Sequence, residues 1–184
     1  MDARRRNVTP FVSDTELLDF FQRVGGAFIR DGLYRVIHPA DSARWHERVL
    51  LAFPNFATRV TCFGYNWLGR AFAFDSNGPK REKPGVIMLE PGIGEVLEIP
   101  ANLVTFHDET LLTYHDAAVA SSFYEKCRGA GGSAPDYDHC VGYKKPLFLV
   151  GVDDVENIEL SDVDVYWHLM GQLIERTRGL PPGM

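Results

Sequence analysis

Short apolar segments alternate with turn-forming residues between residues 59 and 99, and this alternation constrains the fold more than any other feature of the chain. Its β-branched and aromatic residues, bounded by Gly, Pro and Asn, are typical of strands joined by tight turns. Strands are predicted at residues 59–63, 70–74, 85–89 and 95–99. Pro91-Gly92-Ile93-Gly94 predicts a tight turn between the last two. We therefore expect a central, largely antiparallel sheet.

The sequence Gly64-Tyr65-Asn66-Trp67-Leu68-Gly69 is predicted to be the turn between the first two of these strands. Glycines at both ends allow a sharp turn and a close approach of backbone or large rings. The two aromatic side chains have two interpretations. They pack in the core and the turn, or they form an aromatic anchor at a protein interface. Tyr65 and Trp67 are therefore candidate partner-binding residues.

Helical patterns lie mainly on either side of this β-rich region. Helices are predicted at residues 14–25, 39–53, 101–106, 116–128 and after residue 161, with further strands at 28–38, 140–150 and 157–160. Ser161-Asp162-Val163-Asp164 resembles a helix-capping box. The grouping of strands between helices predicts an α+β fold in a single domain over residues 13–184, after a flexible N-terminal arm at residues 1–12.

The charge of the chain disfavours direct binding to nucleic acid. The formal net charge is −6 and the sequence pI is about 5.5, whereas proteins that bind DNA or RNA carry basic surfaces. An acidic protein is instead complementary to a basic partner. The three cysteines, Cys62, Cys127 and Cys140, are widely spaced and form no Cys-x-x-Cys pair, which fits a reducing compartment.

The ends and the hydropathy of the chain predict a cytoplasmic protein. The first nine residues are basic and no apolar run follows them, so no secretory signal is expected. No stretch approaches the roughly 20 apolar residues that span a bilayer, so no membrane association is expected.

Motifs for catalysis, metals and cofactors are not found. The His107-Asp108-Glu109 and His115-Asp116 groups match no usual metal-ligand spacing, and exposed helix starts account for them better. No Gly-x-Ser-x-Gly or Ser-x-x-Lys motif is present, and Gly92-Ile93-Gly94 lacks the rest of a dinucleotide fingerprint. We expect no catalytic residues, no metal and no cofactor.

Residues 151–164, here called the acidic segment, contain six carboxylates and no lysine or arginine. Apolar residues are interspersed with these acids, so the segment is expected to be folded with its acids facing outward. A focused negative surface would meet a basic toxin or nuclease. The candidate partner-binding residues are Asp153, Asp154, Glu156, Glu159, Asp162 and Asp164.

Several of these segments resemble one known family: the immunity-protein domain related to the GAD-like domain, found beside DNase effectors of bacterial type VI secretion. The resemblance runs from about Gly32 to the C-terminus. It is carried by CFGYNWLGR at 62–70, LEPGIGEVLEIP at 89–100, FHDE at 106–109, CVGYKKPLFL at 140–149 and ELSDVDVYW at 159–167.

The resemblance implies an immunity protein that is not an enzyme. Its partner would be a cognate nuclease toxin, the C-terminal toxin domain of a type VI effector, held in a one-to-one complex. Two alternatives stay open. One is an adaptor or chaperone that loads an effector for secretion. The other is a small hydrolase, for which His107, Asp108, Glu109 and His139 are the candidate residues.

Overall fold

The order of the strands along the chain determines the central sheet. In the computed structural model, which describes residues 14–77 and 85–179, six strands each pair with their sequence neighbours and every pair is antiparallel. They are β1 Phe28–Ile29, β2 Tyr34–Val36, β3 Val60–Asn66, β4 Ala71–Asp75, β5 Gly85–Glu90 and β6 Glu95–Ile99. A separate antiparallel pair is formed by β7 His139–Tyr143 and β8 Ile158–Asp162. The predicted α+β fold with an antiparallel sheet is confirmed.

Helices flank the sheet, as predicted. They are α1 Asp14–Val24, α2 Ser42–Ala52, α3 Pro54–Ala57, α4 Leu103–Thr105, α5 Leu111–Thr113, α6 His115–Val119, α7 Ser121–Gly129 and α8 Val163–Thr177. A π-helical turn at Phe106–Thr110 joins α4 to α5, and short 3-10 turns occupy Leu147–Leu149 and Val155–Asn157. Within the described part of the chain, no helix combines the length and apolar character that crossing a bilayer requires.

Both faces of the central strands are covered, so β4 is buried along its whole length. On one face, Phe106 packs against Phe63 and Phe72, with ring centroids 5.5 and 4.9 Å apart. On the other face, Trp45 of α2 packs 4.7 Å from Tyr65 and 5.7 Å from Trp167 of α8. These two aromatic layers form the core.

The buried guanidinium of Arg35 ties the small strand pair to the sheet. It donates to the backbone carbonyl oxygens of Asp136 and His139, just before and at the start of β7. It also donates to the carbonyl of Asn66 at 2.9 Å and lies over the ring of Tyr65. Because Arg35 is buried, these carbonyl oxygens replace the water that a guanidinium needs.

The predicted turn at residues 64–69 is wrong in its first half. β3 continues through Asn66, and the turn comes at residues 67–70. Gly64 lies within the strand beside a register shift, where a Cβ atom would come within 2.1 Å of the Tyr34 hydroxyl. Gly69 does lie in the turn, with a φ of 77°. The glycine at position 64 is thus required by the ring of Tyr34 and not by a turn.

Other predicted boundaries also move. The helix predicted at 116–128 is broken at Ala120, whose φ is 54°. The strand predicted at 140–150 ends at Tyr143, ahead of the break expected at Pro146. The cap of the last helix is Asp162 and not Ser161. The predicted N-terminal arm lies outside the described residues, as do residues 78–84 and 180–184.

Candidate functional site

The acidic segment begins in the loop between β7 and β8, continues as β8 and ends in the first turn of α8. Asn157 fixes the loop. Its side-chain amide donates to the carbonyl oxygens of Lys145 and Val152 at 2.8 and 2.9 Å, and its Oδ1 accepts from the Lys145 amide at 3.0 Å. The Asn157 side chain therefore joins the end of the loop to its start at Lys145 and to its middle at Val152, and in this sense the loop is braced.

The turn into the segment is also tightly constrained. Val150 has a φ of 63°, a conformation that β-branched residues rarely adopt. The amide of Gly151 donates to the Pro146 carbonyl at 3.0 Å, and a Cβ atom at this glycine would lie 2.1 Å from the Lys145 carbonyl oxygen. A strained, over-determined turn of this kind is a common feature of functional loops.

Four of the six predicted carboxylates have structural partners. Two of these are in the loop. Asp153 accepts a hydrogen bond from the Tyr143 hydroxyl at 2.7 Å. Asp154 pairs with Lys126 at 2.9 Å and accepts from the Val155 amide at 2.6 Å. The bond to Lys126 lowers the pKa of Asp154. Both carboxylates therefore already have hydrogen-bond partners within the chain.

The other two structural carboxylates are at the start of α8. Asp162 is the N-cap, and its carboxylate accepts from the amides of Asp164 and Val165 at 2.8 and 3.0 Å. Asp164 forms ion pairs with Arg44 and Arg48 of α2. Asp162 and Asp164 therefore fasten the helix, and they contribute little free negative charge to a partner.

Glu156 and Glu159 differ from these four. Both are exposed, and within residues 14–77 and 85–179 neither carboxylate forms a hydrogen bond or an ion pair. They are three residues apart, on either side of the junction of the loop with β8. Of the predicted site residues, this pair offers the carboxylates most available to a basic partner.

Apolar side chains accompany this pair at the surface. Val150, Val152 and Leu160 are 65%, 67% and 50% exposed. Of the apolar residues in the segment, Ile158 is buried, whereas Val152 and Leu160 lie at the surface. Exposed apolar groups with charged neighbours occur in protein interfaces, where the apolar groups lie in the core and the charges at the rim. The alternation of inward-facing and outward-facing side chains along a strand does not predict that Leu160 is exposed, because its neighbour Glu159 is exposed as well.

Tyr65 and Trp67 are not at the surface. Their exposed fractions are 1% and 0%, and Trp67 donates through its indole nitrogen to the Val119 carbonyl at 3.0 Å. The interpretation of these residues as interface anchors is therefore wrong, because a partner cannot reach them without opening the core. Their burial favours the alternative interpretation, packing in the core.

The histidines considered for a hydrolase do not converge. His107 bonds the Tyr34 hydroxyl at 3.0 Å, whereas His139 bonds Asp136 at 2.6 Å beside the Arg35 contacts. Tyr34 and Arg35 are consecutive in β2, so their side chains point to opposite faces of the sheet. Nowhere in the described ranges do three or more His, Cys, Asp or Glu side chains form a group suited to a metal ion.

A histidine–serine contact that the sequence did not suggest lies at the break between α6 and α7. His115 Nδ1 is 2.6 Å from the Ser121 hydroxyl, which also donates to Asp116 at 3.3 Å. Ser121 is buried, and Asp116 accepts from the Ser122 amide at 2.7 Å. This group caps α7, and the left-handed residue Ala120 brings it together.

Comparison with protein-family models finds no match, and comparison with curated proteins finds none either. Among solved structures, the chain is similar to the crystal structure of Atu4351 from Agrobacterium tumefaciens. The TM-score is 0.61 at 17% sequence identity, over 86% of this chain and 75% of that one. At this level of identity the similarity shows a shared fold.

Proposed function

We propose that this chain is an immunity protein that binds and neutralises a cognate nuclease toxin, the C-terminal domain of a type VI secretion effector. The complex is one-to-one and forms in the cytoplasm of the producing cell. The chain itself is not an enzyme, and it binds neither nucleic acid nor membrane. The proposal rests on two unpaired carboxylates, Glu156 in the braced loop and Glu159 in β8, with exposed Val152 and Leu160 close to them in the sequence.

The chemistry of nucleases explains why such a surface inhibits one. A nuclease binds DNA through lysine and arginine side chains that contact phosphates. The carboxylates of Glu156 and Glu159 pair with the same lysine and arginine side chains and so exclude the substrate. The net charge of −6 draws a basic toxin towards the chain and raises the association rate.

The exposed apolar side chains supply the other property that protection of a cell demands. Tight complexes owe their lifetime to slow dissociation, which depends on well-packed groups at the centre of the interface. Val152 and Leu160 are exposed within four residues of the free carboxylates along the chain, and we assign them the apolar contacts of the interface. The braced loop loses little conformational freedom on binding, which lowers the entropic cost of association.

The test requires a candidate nuclease domain, sought among the genes that flank the gene for this chain, and it measures both DNA cleavage and association. The variant Glu156→Lys with Glu159→Lys reverses the two free carboxylates. A matched control is Glu95→Lys with Glu98→Lys, which makes the same charge change on exposed residues of β6. We expect the first variant to associate about tenfold more slowly near 0.01 M salt and the control to change far less.

Each other outcome has a definite meaning. Binding that leaves DNA cleavage intact would favour the adaptor, and no binding would contradict both interpretations. Equal association rates for both variants would remove the acidic segment from the interface. DNA cleavage by the purified chain alone, lost in His107→Ala, would establish the hydrolase.

A further inference from the structure

One edge of β8 has no strand beside it within the described part of the chain. β7 and β8 form a two-stranded sheet, in which β7 covers one edge of β8 and the opposite edge is left unpaired. The outer edge of β7 is occupied, because the Val141 amide donates to the Trp67 carbonyl at 2.7 Å. An unpaired edge offers backbone donors and acceptors to any extended segment that can lie alongside it.

The hydrogen-bond pattern shows which backbone groups of β8 face this edge. In an antiparallel pair, opposed residues alternate between those that exchange backbone hydrogen bonds and those that do not. Just before β8, the Asn157 carbonyl accepts from the Lys144 amide at 2.8 Å, and a backbone bond at the other end of the pair falls in the same alternation. Glu159, two residues on, therefore bonds to β7. The amide and carbonyl of Leu160 then point away from β7, towards the open edge.

The side chains at this edge favour a basic strand. Leu160 is 50% exposed, whereas Ile158 is buried, so the accessible part of the edge is centred on Leu160. Glu159 is exposed on the opposite face, and among the described residues its carboxylate pairs with no cation. It attracts a strand that carries lysine or arginine and repels an acidic one, including β8 of a second copy. β8 contains no lysine or proline and its register with β7 has no bulge, so its acidic side chains limit which strand can add.

We propose that β8 binds an extended segment of a partner protein by backbone pairing, and that this segment alternates lysine or arginine with apolar residues. Its amide and carbonyl groups bond to those of Leu160, its cations lie on the face that carries Glu159, and its apolar side chains lie beside the Leu160 side chain. Strand addition of this kind takes its affinity from the backbone and its selectivity from alternate side chains. The inference deepens the proposed function and rests on it for the natural partner, a nuclease toxin that would contribute the added strand.

The first test follows the backbone amide resonances of the full chain by NMR while a blocked heptapeptide, Lys-Val-Lys-Thr-Lys-Val-Lys, is added. We expect the shifts to concentrate at residues 158–162. Two further peptides carry N-methyl groups, one on every Lys and the other on every Val and Thr, so each lacks amide donors along one edge. Because one edge of the peptide faces β8, one of these versions should bind at least about tenfold more weakly than the other. Equal binding of the two versions, or no binding of the unmethylated peptide, overturns the proposal.

Two substitutions at one position place the added strand at β8. Leu160→Pro removes the outward amide without removing a donor to β7, and Leu160→Ala shortens the same side chain but keeps that amide. We expect about tenfold weaker peptide binding in Leu160→Pro and less than about threefold in Leu160→Ala. Equal losses in the two variants contradict backbone pairing. The amide spectrum of each variant reports its fold, and the comparison of N-methylated peptides on the wild type decides if Leu160→Pro does not fold.

Charge variants distinguish β8 from the edge of the central sheet. β6 is also a five-residue strand at a sheet edge, and it carries exposed Glu98. Glu159→Lys should weaken binding of the heptapeptide several-fold at low salt, and Glu98→Lys should change it far less. Equal effects of the two variants, or shifts centred on residues 95–99, contradict the assignment to β8.

The candidate nuclease separates this inference from the proposed function. A nuclease that binds the wild type and Leu160→Pro equally well would retain the proposed function and remove strand addition. A heptapeptide that behaves as expected at β8, beside nucleases that do not bind, would retain strand addition and remove the proposed function.

Discussion

The guanidinium of Arg48 lies 2.6 Å from the carboxylate of Asp164, and this ion pair fastens α2 to the first turn of α8. Arg48 is buried while Asp164 is half exposed, and Arg44 holds the second oxygen of the same carboxylate. Burial alone would raise the pKa of Asp164, but the bonds and charges of Arg44 and Arg48 outweigh burial and lower it. One carboxylate thus balances two cations between two helices.

Asp164→Asn should lower the free energy of unfolding at neutral pH and flatten its dependence on acid. The folded protein holds this carboxyl with a lowered pKa, so its stabilisation is present above the unfolded pKa and is lost as pH falls through the folded pKa. Hydrogen bonds to charged groups contribute about 1.5–3 kcal/mol, and solvent screening reduces the expected loss to about 1–2 kcal/mol. Urea unfolding at about pH 7 and about pH 3 measures both effects.

A matched control for this substitution is Asp19→Asn, which removes an exposed ion pair with Arg23 within α1. Pairs of this kind contribute roughly 0.2–0.5 kcal/mol, so the control should stay close to the wild type. If the two variants lose equal stability, or if Asp164→Asn follows the wild-type pH profile, the link between α2 and α8 is not electrostatic.

Trp67→Ala should destabilise the chain by about 3–5 kcal/mol, since it removes a fully buried indole and leaves a cavity. Rings of Phe123 and Tyr124 lie 5.4 and 5.2 Å away and cannot collapse into the space without moving α7. Leu112→Ala, at an exposed position, should change stability by less than about 0.5 kcal/mol. Denaturant unfolding of both variants measures this. A loss below about 1 kcal/mol in Trp67→Ala would show that the ring does not pack in the core.

Much of the fold could be predicted because local chemistry and tertiary packing agree. The strands at 85–90 and 95–99 are bounded by turn residues, and their register follows from one tight turn. Elsewhere a contact between residues that are distant in the sequence determines the local structure. The sequence around Gly64 predicts a turn. The residue lies inside β3 instead, where the Tyr34 ring leaves no room for a Cβ atom. Ala120 carries no signal for a left-handed break, since alanine favours a continuous helix.

The acidic surface could be predicted from the sequence, but the ion pairs that its aspartates form could not. Six acids in one segment mark an acidic surface, but the cations that pair with Asp154 and Asp164 lie far along the chain. Arg44 is 120 residues from Asp164, and Lys126 is 28 residues from Asp154. Only tertiary structure separates the two free glutamates from the paired aspartates. It likewise shows that β8, paired along one edge, exposes Leu160.

The thiols of Cys62, Cys127 and Cys140 should resist modification in the folded protein. All three are buried, and burial raises the pKa of Cys62 and of Cys140 to about 12 and raises that of Cys127 as well. The thiolate is the reactive form, so an aromatic disulfide reagent should react slowly near pH 8 and quickly once urea is added. Rapid reaction of a full equivalent without denaturant would mean that one of these sites opens readily.

Asn157→Ala should loosen the acidic segment while leaving the rest of the fold in place. The substitution removes three hydrogen bonds that join the Asn157 side chain to the backbone of Lys145 and Val152. Because these groups are partly accessible, water replaces some of the lost bonds and the cost should be about 1–2 kcal/mol. Asn157→Asp keeps an acceptor for the Lys145 amide but sets a carboxylate oxygen against the carbonyl oxygens of Lys145 and Val152, so its cost should be at least as large.

Measuring the mobility of the acidic segment distinguishes the effect of Asn157→Ala, which loosens the segment, from the effect of a substitution that changes its charge. Hydrogen exchange should accelerate over residues 145–157 in Asn157→Ala and stay unchanged in β4 and β5, which are buried in the sheet. Binding to the nuclease should weaken by roughly threefold to tenfold, because a loop that is ordered only on binding spends part of the binding free energy on that ordering. The Glu156→Lys with Glu159→Lys variant should show the reverse pattern, with slower association and wild-type exchange. Exchange that stays at the wild-type rate in Asn157→Ala would mean that the strained turn at Val150 and Gly151, rather than the Asn157 bridge, holds the acidic segment in place.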